Sequence, residues 1–241
     1  MEKVLQNMSR DKLIALASLI DLNDPKEPTS PTFTHMNASS GDDCEMPFKD
    51  LPASKMKEEI EYEISTAGGH TVANIFRGGK GVSYREIVWD VADHVKAELT
   101  NFDTLPDAEG KIAKQALKVM LEELTPEQRD ELAENLERIA KDHGESYRGE
   151  GGVLAALTAA QLSGFGIYLA ASTCLGAITG FLGFTLPFVF YTSMSKVISV
   201  VIGPIGWTLL GISAAYKVGS PNMKKLLPAV LFISAERNSP S

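Results

Sequence analysis

Residues 151–195 read GGVLAALTAAQLSGFGIYLAASTCLGAITGFLGFTLPFVFYTSMS, 45 positions without one charged side chain. Lys196 follows, and a second uncharged run fills 197–216. A helix rises about 1.5 Å per residue, so roughly 20 apolar residues span a bilayer core. The first run is long enough for two crossings or one tight hairpin. The expected arms are 153–175 and 184–195, separated by a break near 176–183, with Pro187 disturbing the second arm because it lacks an N–H. In the second run Gly203-Pro204-Ile205-Gly206 interrupts a third segment.

Two environments suit this hairpin. A helix that is apolar all round must be buried, in protein or in lipid. The small residues Gly176 and Gly180, four apart, let helix backbones approach closely in either setting. The missing charge favours lipid as the first reading, since a charge at mid-bilayer costs about 2.5–3.5 kcal/mol on insertion scales. Leu154, Leu162, Phe165, Ile167, Leu182, Phe184, Phe188 and Val189 are then the expected membrane contacts, with Lys196 and Lys217 at the interface. The alternative keeps the hairpin as the core of a soluble fold.

The remaining sequence is an acidic helical body. Residues 151–241 carry Lys196, Lys217, Lys224, Lys225 and Arg237 against Glu236 alone, an excess of four positive charges. The total of −8 therefore leaves −12 on residues 1–150. That balance argues against nucleic acid, whose binders present a basic footprint. The cations beside the apolar run suit anionic headgroups. With 44% hydrophobic residues the chain can build a sizeable core. Two cysteines, Cys44 and Cys174, make neither a disulfide framework nor a metal knuckle and point to a reducing compartment. The first residues show no basic region followed by an apolar one, so no secretory signal is expected.

Helical spacing and cap signals recur along the chain. Ser9 is placed to cap a first helix carrying Leu13, Ile14, Leu16, Ala17 and Ile20, the N-terminal helix of 1–21. Residues 22–52 hold five prolines among Ser, Thr, Asn and Asp and read as a linker. The acidic helical domain spans 53–150. Met56, Ile60 and Ile64 mark one helix, ended by Gly68-Gly69. Ser83 with Glu86 forms a capping box before Tyr84, Ile87, Val88, Val91 and Val95. Residues 103–107 read as a turn around Pro106, with a helix over 109–124. Thr125-Pro126-Glu127-Gln128 supplies cap, proline and capping box to the next helix. Residues 223–235 form a further helix in the apolar, membrane-prone region 151–241. The class is all-α: a helical body with a C-terminal apolar helical hairpin.

Gly68-Gly69-His70-Thr71-Val72-Ala73-Asn74-Ile75-Phe76-Arg77-Gly78, then Tyr84-Arg85-Glu86-Ile87-Val88-Trp89-Asp90-Val91, resembles the bacterial YaaW-like family of uncharacterised proteins. Gly203-Pro204-Ile205-Gly206 and Pro228-Ala229-Val230 are similar to that family's C-terminal segment. The likeness covers most of the chain and departs at the Pro-rich 22–52 and in the greater hydrophobicity of 153–195. It implies a link to the ubiquinol–cytochrome c chaperone type of domain, and hence protein binding at a respiratory membrane, with no established activity.

Chemistry is sparse. Arg77-Gly78-Gly79-Lys80 leads to a capped helix start, so with Arg85 it is a candidate anion or partner site. It lacks the spacing of a nucleotide-binding loop, and a tight turn explains it as well. Asp90 and His94 share a helix face that His70 could fold near, but a metal site needs a converging third ligand and a solvated face is expected. Ser146 and His143 sit in a connector. No catalytic residue, metal or cofactor is assigned, and an enzyme ranks third.

Two functions remain. The first is a membrane-associated protein on the cytoplasmic side of the inner membrane, whose hairpin is released into lipid as in pore-forming, colicin-like effectors. The second is a cytoplasmic protein-interaction or assembly-chaperone module that presents 77–91 to a partner. The expected partners are thus a lipid bilayer or a protein, with oligomers compatible with both.

Overall fold

The computed structural model describes residues 1–22, 47–68, 81–147, 152–159, 162–182 and 221–240, without the side chains of 180–182. These residues form helices and no strand, so the class is all-α. The elements are α1 Glu2–Asn7, α2 Arg10–Leu19, a 3-10 turn Phe48–Asp50, α3 Ala53–Ala67, α4 Tyr84–Val95, α5 Leu105–Glu123, α6 Pro126–Asp142, α7 Gly152–Leu157, α8 Gly164–Leu182 and α9 Met223–Arg237.

Local chemistry sets the boundaries. Ser83 with Glu86, Thr104 with Asp107 and Thr125 with Gln128 each close a capping box, pairing backbone N–H groups that a helix start leaves free. Ser9 caps α2 by accepting from Lys12 N at 3.4 Å. The expected turn over 103–107 is instead the start of α5. Pro106 lies in the first helical turn, where a missing N–H costs no bond. The expected single N-terminal helix over 1–21 is instead two helices, parted at Met8 and Ser9.

The centre of the fold is α9. Every residue from Leu226 to Ala235 is buried, on all sides of the helix rather than along one stripe. It packs against α8, α5, α4, α2, α3 and α1. Gly164, which begins α8, lies beside Asn238, just after α9, so the packed pair runs in opposite senses. Residues 168–179 of α8 are buried as completely. Buried hydroxyls turn back on the helix: Thr173 Oγ1 donates to Leu169 O at 2.7 Å and Thr179 Oγ1 to Gly176 O at 3.0 Å. One hydrophobic core joins Leu13, Met56, Ile87, Ile112, Leu136, Leu175 and Phe232.

The apolar stretch differs from the expected hairpin. Its first arm is split, with α7 ending at Leu157 and α8 starting at Gly164. The break expected near 176–183 is helical through Leu182. The partner that pairs with α8 is α9; residues 184–195, the expected second arm, lie outside the described residues. Among the described residues no helix is long and apolar enough to cross a membrane. The expected transmembrane helix and inner-membrane location therefore gain no support from this part of the chain. The linker residues 23–46 and the second uncharged run 197–216 also lie outside the described residues.

Candidate functional site

Among the described residues Glu109 is a charged side chain that is completely buried, with 0% of its surface exposed. It sits one turn into α5, on the stripe formed by Ile112, Ala113, Ala116 and Met120. A carboxylate there needs partners, because an unpaired buried charge is costly. Arg237, the last residue of α9, supplies them: Nε donates to Oε2 at 2.7 Å and Nη2 to Oε1 at 3.1 Å. Tyr84, the first residue of α4, donates its hydroxyl to Oε1 at 3.1 Å. Three helices thus meet on one carboxylate.

The electrostatics reinforce this geometry. Burial pushes the Tyr84 hydroxyl well above its ordinary range, and the charge and hydrogen bond of Glu109 push it further. Tyr84 is therefore a neutral donor. Burial works against the charged guanidinium of Arg237, but its hydrogen bond and ion pair with Glu109 outweigh this and raise its pKa. Two forked N–H bonds use the planar geometry of arginine.

Two further ion pairs hold α9. Lys225 Nζ meets Glu63 Oε1 of α3 at 2.8 Å, and Lys12 Nζ of α2 meets Glu236 Oε2 at 2.7 Å. Asn222 N donates to Ala67 O at 2.9 Å at the start of the helix. The apolar helix is therefore fastened at both ends. This set of groups can clamp and orient; it contains no paired nucleophile and base. Among the described residues no group of His, Cys, Asp and Glu is arranged to hold a metal ion. A hollow of about 280 Å³ at the end of α6 is lined by Glu137, Ala140, Lys141, Glu145, Ser146 and Tyr147. His143 is not in that lining; its ring lies 5.2 Å from that of Phe165.

The residues singled out in the sequence scatter. Arg77, Gly78, Gly79 and Lys80 lie outside the described residues, as does His70. Arg85 is exposed on α4, its guanidinium carbon 4.0 Å from the ring centre of Trp89, a cation–π contact. Leu154, Leu162 and Phe165 are partly buried and pack on the core. Ile167 lies over Gly110 of α5. The Leu182 side chain, Phe184, Phe188, Val189, Lys196 and Lys217 lie outside the described residues. Cys174 is buried on α8, and burial pushes its thiol far up.

Sequence reading missed Glu109 and Arg237. A signal existed for Glu109, an acid at the i, i+3, i+4, i+7 positions of an otherwise apolar stripe. Arg237 gave none, since a cation ending a helix is ordinary.

The chain is similar to a UPF0174 protein of Helicobacter pylori (strain ATCC 700392 / 26695), 28% identical over 190 residues, spanning 76% of this chain and 88% of the relative. A UPF0174 protein of Helicobacter pylori (strain J99 / ATCC 700824) is 25% identical over 185 residues, spanning 76% of this chain and 72% of that one. No family model matches the chain. No solved structure matches it. These relatives bear out the expectation of an uncharacterised family, not the finer relation to the YaaW-like group or to the chaperone-type domain.

Proposed function

We propose that the chain is a helical protein-binding module, of the kind that assists assembly, with α8 and α9 as its permanent core. The observation that carries this is the fastening of α9. Its ten buried residues fill the centre of the fold, and ion pairs to Glu63, Lys12 and Glu109 hold its two ends. Release of such a helix into lipid would break all three pairs and empty the core. The partner surface is the 77–91 region, of which Arg85 and Trp89 are exposed or half-exposed on α4. The resemblance of that region to the YaaW-like group, with its link to a chaperone-type domain, points the same way.

Membrane attachment is the second reading, favoured by one observation. Residues 183–217 carry only Lys196 and Lys217 as charges, and both flanking helices are anchored in the core. In this reading the segment between α8 and α9 meets lipid at the cytoplasmic face of the inner membrane while the bundle stays intact.

Fractionation of the untagged chain, with carbonate washing of the membrane pellet, separates the two. Recovery in the soluble fraction supports the binding module, and retention in the washed pellet supports attachment. Alanine at Arg77 and Arg85 is expected to abolish capture of the partner without loss of helicity. Capture that survives both changes removes this surface from the proposal.

A further inference from the structure

We draw no further inference here: the strongest candidate, the uncharged surface of α7 and the start of α8 where Leu154, Leu162 and Phe165 are half-buried, has no charge of its own to select a partner, and nothing among the described residues shows what covers it.

Discussion

Arg237 Nε lies 2.7 Å from Glu109 Oε2, and the carboxylate it meets has no exposed surface. This bond joins the last residue of the central helix to the second turn of α5, across 128 positions of sequence. The pair fixes the end of α9, and the Tyr84 hydroxyl adds the start of α4.

Removing one partner strands the other. Arg237→Ala leaves a buried carboxylate with only the Tyr84 hydroxyl, and a loss of about 3 kcal/mol is expected, the lower part of the range for broken buried pairs because Arg237 keeps some exposure. Glu109→Leu with Arg237→Met is expected to be much less destabilising, since nothing charged is stranded. Urea unfolding of the parent and the two variants followed by circular dichroism reads the difference. Equal losses in single and double variants would show that the clasp contributes by packing alone.

Gly110 sets the approach of α8 to α5. A Cβ at that position falls 2.9 Å from Ile167 Cδ1, the flexible end of that side chain. Gly110→Ala is therefore expected to be close to neutral, the better helix propensity offsetting a small shift of the isoleucine. Gly110→Leu forces overpacking and should cost about 1–3 kcal/mol. Adding Ile167→Ala should recover part of that loss, and a double-mutant cycle by thermal melting checks it. Strict additivity would place the two residues out of contact.

Cys174 is buried in α8, its Sγ 3.9 Å from Ala113 O, and burial pushes the thiol up. The thiolate is the reactive form, so two barriers protect it. In a Cys44→Ser background the native chain should resist a thiol reagent at pH 8 and react fully in denaturant. Rapid labelling of the native form would mean that α8 leaves the core readily, as a released hairpin requires.

Two acids should respond to pH in opposite senses. Asp103 is held low in the folded state by Lys111 and Thr100, so its stabilising effect is present above the unfolded value of about 3.9 and is lost as pH falls through the folded one. Asp103→Asn should thus be less stable than the parent at pH 7, with the gap closing in acid. Burial, then the charges of Glu58 and Glu63, raise Glu59, with Lys55 opposing them. Its ionised form disfavours folding at pH 7, so Glu59→Gln should be more stable there, the gain fading as pH falls through the raised folded value and gone below the unfolded value of about 4.3. Denaturation midpoints from pH 3 to 7 measure both. A Glu59→Gln gain that is constant with pH would assign the effect to packing.

The sequence by itself determined the class and most of the helix boundaries. Caps and periodicity are local: Ser83 with Glu86 and Thr125 with Gln128 act within one turn, and Met56, Ile60 and Ile64 mark a face without reference to any neighbour. The uncharged run 151–195 also set the expectation of burial, in protein or in lipid, because a helix without polar sides has no solvated face. Tertiary structure decided what buries the described part of it. An apolar surface does not encode its partner, and it is the packing of α8 on α9 and α5 that makes residues 168–179 a protein core. Tertiary structure also decided the clasp. Glu109 and Arg237 are ordinary charged residues in their own helices, and only the meeting of α5 with the end of α9 removes the water that would otherwise solvate them.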